Sequence, residues 1–238
     1  MKKENKLEIK IFYDNVALQK GVFSAWGFSA LVKHKGKNIL FDAGAKADLL
    51  LANMKALRVN PATITDVFIS HKHWDHLGGL FGFLNVNHKV KVWLPADCST
   101  TYAAEVRASG AECVRLSKPS KISKNIYSSG EMGKKIREQF LIIETPNGLA
   151  LITGCSHPGI AQMCRQAKKL FNQEIALVVG GFHLGSFPAA KISKIAAQLR
   201  KLGIKKIAPC HCSGQKAKRI IKSVFKNNFI KIGVGSIC

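Results

Sequence analysis

Residues Ser70-His71-Lys72-His73-Trp74-Asp75-His76 follow directly on the apolar run Asp66-Val67-Phe68-Ile69. Four side chains able to hold a metal, His71, His73, Asp75 and His76, therefore crowd the point where a buried strand ends. Strand residues alternate sides, so an extended chain sets His71, His73 and Asp75 the same way. His76 joins them as the backbone turns toward Gly78-Gly79. Imidazole with carboxylate suits zinc, iron or manganese, whereas calcium or magnesium alone would call for oxygen ligands. The spacing predicts a cation at the edge of a sheet. Two adjacent glycines are costly unless the backbone passes close to something, and a metal site just behind them supplies a reason.

Outward from this cluster, strand and helix signals alternate. Strands are predicted at 7–13, 28–33, 37–41, 64–69, 90–94, 112–116, 140–144, 149–152, 175–179 and 204–208, with a further one at 229–234. Helices are predicted at 45–57, at 160–170 on the stripe Ile160, Met163, Cys164, Ala167 and Leu170, and from Pro188 to Gly203 on Ile192, Ile195, Ala196, Leu199 and Leu202. A short helix begins at 77–80, another runs to Gly110 behind Asp97 as its cap, and a last one carries Ile220, Ile221, Val224 and Phe225. Residues 117–135 lose periodicity and are expected to form a long loop able to cover a pocket. Hairpins at the start of the chain and across Pro146-Asn147-Gly148 imply antiparallel pairing beside the parallel units. The pattern predicts an α/β protein with two mixed sheets and helices outside, as a single domain over 1–238.

Of the eight histidines, His71, His73, His76, His157, His183 and His211 stand just after predicted strands, and His34 and His88 look like surface turn residues. Ligand sites of α/β folds favour the carboxyl ends of strands. Loops at Asp42, His71, His157, His183 and His211 are thus expected to meet over one site.

The net charge of +23 favours phosphate-bearing ligands through long-range attraction. The lysines are scattered in pairs, not interleaved with aromatics as in a base-stacking groove, so nucleic acid is not the favoured partner. A small anionic molecule is. Seven cysteines without framework spacing indicate free thiols in a reducing compartment. Cys98, Cys113 and Cys164 are expected as core filler, whereas Cys155, Cys210 and Cys212 each stand within two residues of a histidine. Residues 1–6 lead into a strand with no apolar signal segment, and no apolar run approaches a membrane span. These features point to a cytoplasmic protein.

His71-x-His73-x-Asp75-His76, preceded by Phe41-Asp42-Ala43-Gly44, resembles the signature of the metallo-β-lactamase fold superfamily. Glu138-Gln139, Thr153-Gly154-Cys155-Ser156-His157-Pro158-Gly159-Ile160, Gly180-Gly181-Phe182-His183-Leu184 and Pro209-Cys210-His211-Cys212-Ser213-Gly214 are similar to one branch of it. That branch takes its name from the dihydropterin–aminobenzene-ribofuranosyl-phosphate synthases. The resemblance implies a four-layer αββα sandwich with a binuclear site. It assigns His71, His73 and His157 to one divalent ion and Asp75, His76 and His211 to the other, with Asp42 orienting ligands. Zinc is the expected metal, with manganese, iron or magnesium as alternatives. Cys155 occupies about the place of an aspartate that bridges the metals elsewhere in the superfamily, so either Cys155 or His157 completes the site. His183 is assigned to substrate.

Two such metals lower the pKa of a bridging water and clamp attacking and leaving oxygens. The implied reaction is attack by a metal-bound hydroxide on a small ester or phosphoester, with Asp75 as proton acceptor. In the synthase-like alternative, a carbon nucleophile displaces diphosphate. Two further alternatives are a nuclease of the same superfamily and a metal-binding redox or sensor module built on Cys155, Cys210 and Cys212.

Overall fold

Runs of Val, Ile, Leu and Phe too short for helices place the strands, and each such run is buried along most of its length. The computed structural model describes residues 6–238. The lysine-rich start of the chain, residues 1–5, lies outside the described residues, so the reading made for it stays with the sequence. The chain divides into two compact units, the first running to Ser117 and taking back Ile232–Cys238, the second Lys118–Lys231.

The first unit is built on a six-stranded mixed sheet in the order β1 (Glu8–Tyr13), β2 (Ser29–His34), β3 (Lys37–Phe41), β4 (Asp66–Phe68), β5 (Lys91–Pro95), β6 (Glu112–Leu116). β1, β2 and β3 pair antiparallel, and β3 to β6 pair parallel. Parallel neighbours need crossovers. Here these carry α1 (Ala47–Ala56), the short α2 (Trp74–Leu77) and α3 (Leu80–Leu84), and α4 (Thr100–Ala108). Leu50 and Met54 of α1, Leu80 and Phe83 of α3, and Ala103 and Val106 of α4 share one core with Leu31, Leu40, Val67 and Val92 of the sheet. Each large apolar side chain fully buried there contributes about 1.5–3 kcal/mol.

The second unit repeats this plan in the order β7 (Ser120–Ser123), β8 (Ile126–Ser128), β9 (Leu141–Thr145), β10 (Gly148–Thr153), β11 (Ile175–Gly181), β12 (Lys206–Cys210). Its first four strands are antiparallel, and β10, β11 and β12 are parallel. The crossovers are α5 (Ile160–Phe171) and α6 (Ala189–Lys201), and α7 (Gln215–Phe225) follows β12. Ile160, Met163, Cys164, Ile192, Leu199, Ile221 and Phe225 bury against Ile142, Leu151, Val178 and Ile207. Two mixed sheets flanked by helices are therefore present.

Several local expectations give way. Residues 117–135 are not a long loop, because β7 and β8 form an edge hairpin whose turn residue Asn125 has φ 65°. Strand character after Ile64 shortens to β4, and Asp75 and His76 sit in the helical turn α2 rather than on an extended strand. Alternation therefore does not set the direction of the Asp75 side chain. Ser99, not Asp97, caps α4 by accepting from Tyr102 N (3.0 Å), while Asp97 pairs with Lys72 (2.9 Å). His34 is a buried strand residue and not a surface turn residue; His88 is exposed. The C-terminal residues form isolated bridges, Lys10 with Ile237 and Ala17 with Val234, instead of a strand at 229–234. Among the described residues, no helix is long and apolar enough to cross a membrane.

Candidate metal-binding residues in each unit

Asp42 follows β3 in a left-handed backbone conformation (φ 54°) and is fully buried. Its Oδ1 accepts from Ser70 N (2.7 Å), and its Oδ2 accepts from Ser70 Oγ (2.8 Å) and lies 2.7 Å from His76 Nδ1. An ionised carboxylate only accepts, so His76 carries its proton on Nδ1. Ser70 spends its hydroxyl proton on Asp42, and its oxygen then accepts from His71 Nδ1 at 2.9 Å. One carboxylate thus sets both tautomers and turns the Nε2 lone pairs of His71 and His76 away from itself. Their rings lie 4.2 Å apart, and Asp75 Oδ2 is 3.7 Å from His76 Nε2.

His71 Nε2 and His73 Nδ1 are 3.1 Å apart. Two nitrogens each about 2.0–2.1 Å from a tetrahedral ion stand roughly 3.3 Å apart. The pair therefore fits a shared metal, and without one it makes a hydrogen bond donated by His73. Gly78 and Gly79 have a different reason from the one expected. A Cβ on them would meet Ala45 O at 2.5 Å and Ala43 O at 2.2 Å, so they let the cluster lie against the loop after Asp42.

In the second unit the organising group is Glu138, also fully buried. Its Oε1 accepts from the backbone N–H of Gly154 (3.1 Å), Cys155 (2.9 Å) and Ser156 (2.9 Å), and its Oε2 from His157 N (2.8 Å). Four converging donors fix the loop after β10. Ser156, at φ 61°, ties that loop to β11 through Oγ and Gly181 O (2.7 Å). His183 (φ 50°) and His211 (φ 48°) end β11 and β12 in the same unusual conformation. Non-glycine residues held there cost about 1–3 kcal/mol and cluster where the surroundings fix a functional geometry.

The ligand atoms of Cys155, His157 and His183 lie within 4.8 Å of one another, as do those of Cys155, His211 and Cys212. The rings of His157 and His183 are 4.4 Å apart. Cys212 Sγ accepts the His183 N–H at 3.3 Å and, as a thiol, lies within donating distance of Cys155 O (3.6 Å). Burial alone would push the Cys212 thiol up. Hydrogen bonds from the Cys155 side chain and from His183, with the charge of His211, instead hold it well below the usual thiol range. Imidazole and thiolate donors in this arrangement match a borderline-soft transition metal such as zinc.

Asp42, His71, His73, Asp75 and His76 are thus assembled within the first unit, and Cys155, His157, His183 and His211 within the second. Sequence reasoning did not single out Ser70 or Glu138 for these roles, whereas Cys212 was marked there with Cys155 and Cys210 as part of a metal-binding alternative. The available signal at Glu138 was an acid-amide pair set directly before the apolar run Phe140-Leu141-Ile142-Ile143 in a chain short of acids.

A family model described as the metallo-beta-lactamase superfamily matches residues 27–102, the stretch containing Asp42 and the histidine cluster. A 7,8-dihydropterin-6-methyl-4-(beta-D-ribofuranosyl)-aminobenzene-5'-phosphate synthase of Methanocaldococcus jannaschii is 29% identical, over 90% of each chain. An uncharacterized protein of the same organism is 32% identical over 96% of this chain and 98% of that one. Among solved structures, a metal-dependent hydrolase of the beta-lactamase superfamily is 30% identical with a TM-score of 0.84, covering 98% of both chains.

Proposed function

Since the chain belongs to the metallo-β-lactamase superfamily, we propose that it is a binuclear metal-dependent hydrolase of small, anionic phosphate- or ester-bearing substrates. In this reading His71, His73, Asp75 and His76 of the first unit and His157 and His211 of the second are the metal ligands. The observation that carries it is the Asp42 relay, since a buried carboxylate that fixes two histidine tautomers serves a ligand set better than a core. Divalent ions bound there, zinc first, would acidify water and offset negative charge on the oxygens of the reacting centre. The chain's own part is to orient and to move a proton. Asp42 holds His76, Ser70 holds His71, Glu138 holds the Cys155–His157 loop, and Asp75 accepts the proton of the attacking water at its carboxylate. His183, exposed beside His157, contacts substrate.

A second reading has support from the synthase-named relative, namely displacement of diphosphate by a carbon nucleophile on the same residues. Seven free thiols suit a reducing, cytoplasmic setting for either. The test is turnover of generic phosphodiester and ester substrates with added zinc or manganese. The hydrolase reading expects turnover in the wild type and loss in both His71→Ala and His211→Ala, with a matching fall in bound metal. Metal-loaded protein that hydrolyses none of them would shift the case to the synthase.

A further inference from the structure

Beside His157 and His183 the second unit carries a cavity of about 210 Å³. It is walled by the loops that end β10 and β11 and by the facing turns of α5 and α6. Pockets for whole drug-sized ligands run to about 300–1,000 Å³, whereas a cavity of about 150 Å³ takes one benzene. This one therefore has room for a single ring and one substituent.

Its wall has two chemistries. Leu184, Phe187 and Ile195 give it an apolar side, and Gln162, Arg165 and Gln198 give it a side rich in N–H donors. No acidic residue lines it. Arg165 and the two glutamines are exposed on their helices and take part in none of the unit's ion pairs or side-chain hydrogen bonds. The surroundings reinforce the sign, because residues 118–231 hold 21 basic residues against 4 acidic ones, and Glu138 is buried in its own network. Neither α5 nor α6 contains an acid. A cationic ligand would be repelled by such a wall, and a neutral one would gain only the apolar side and the amides. A planar oxyanion would meet a guanidinium fork matched to it.

We propose that this cavity is the substrate pocket and that it takes a carboxylate or phosphate headgroup on Arg165. Gln162 and Gln198 flank the headgroup, and one apolar ring lies against Phe187, Ile195 and Leu184. The ligand is then a compact aryl- or alkyl-substituted anion whose reacting end emerges at His157 and His183. The assignment of the reacting end rests on the metal-dependent reading above. The pocket itself does not require a metal.

The experiment is therefore run on chelator-stripped protein by calorimetry, with phenyl phosphate as probe and phenol and inorganic phosphate as its two halves. Phenyl phosphate is expected to bind at least tenfold tighter than either half. Arg165→Gln should weaken it tenfold or more and leave phenol unchanged, with Arg165→Lys recovering only part because a point charge lacks the fork. Phe187→Ala should weaken phenyl phosphate but not inorganic phosphate. Undetectable binding, or affinity unchanged in Arg165→Gln, overturns the pocket. Zinc content of the untreated wild type, measured alongside, reports on the metal reading alone, so the two failures are told apart.

Discussion

Asp42 Oδ2 lies 2.7 Å from His76 Nδ1, and both side chains are fully buried. A buried charged partner of this kind restricts its histidine to one tautomer and one ring orientation. Asparagine tolerates the left-handed backbone that Asp42 adopts, so Asp42→Asn removes the charge without adding strain. The expected result is a roughly 10–100-fold loss of zinc affinity with the fold retained, measured by competition with a chromophoric chelator. Asp42→Ala should lose as much affinity and also some stability. Unchanged affinity in Asp42→Asn would detach this carboxylate from metal binding.

Glu138 plays the corresponding part in the second unit, but toward backbone. Glutamine at this position could still accept at Oε1, while its amide would point N–H groups at the His157 N–H. Glu138→Gln should therefore destabilise the protein by about 2–4 kcal/mol, the scale of a buried charged hydrogen-bond network left partly unmade. Urea denaturation provides the measurement. The expected companion effect is a loss of zinc stoichiometry even where the variant remains folded, because the Cys155–His157 loop is released.

How far the sequence discloses this depends on the kind of interaction. The cluster from His71 to His76 is local and dense, so its metal-capable side chains are visible from spacing alone. The parallel strands show as apolar runs, and the residues after them, Asp42, Cys155, His157, His183 and His211, follow from the rule of carboxyl ends. What stays hidden is carried by groups distant in sequence. Glu138 reaches the loop 16 to 19 residues later, and Asp42 reaches Ser70 across 28 residues. The edge hairpin at Ser120–Ser128 is hidden for another reason, since its lysines and serines mimic a loop while its backbone completes a sheet. Asp97 was a plausible cap, but Ser99 stood at the helix start and Lys72 took the carboxylate.

Gly181 ends β11 with no room for a side chain. A Cβ there would stand 2.3 Å from Gly154 O, 2.7 Å from Cys212 Sγ and 3.2 Å from Cys155 Cα. Two of these neighbours are backbone, so they cannot rotate away. Gly181→Ala should cost about 1–3 kcal/mol from overpacking and displace the loops that bear Cys155 and Cys212. Lower thermal stability together with impaired zinc binding is expected. An alanine variant indistinguishable from wild type in both would mean that these loops are more yielding than their contacts indicate.

Burial pushes the Cys164 thiol up to about 12 from its ordinary value of 9.0, with Arg165 opposing only in part. The folded state therefore favours the neutral thiol, and the sign of the pH effect follows. Stability from this group is fully present below about pH 9, where the thiol is protonated folded or unfolded. It is lost as pH rises from there toward 12, because the unfolded chain can ionise and the folded one cannot. The slope approaches about 1.4 kcal/mol per pH unit. Cys164→Ala should be less stable than wild type at pH 8, since it leaves a small cavity, but its stability should fall less between pH 9 and 11. The same burial predicts that Cys164 resists iodoacetamide at pH 8 until the chain is unfolded, as read by mass spectrometry. Rapid alkylation of Cys164 in the native protein, or parallel pH profiles for the two proteins, would contradict the assignment.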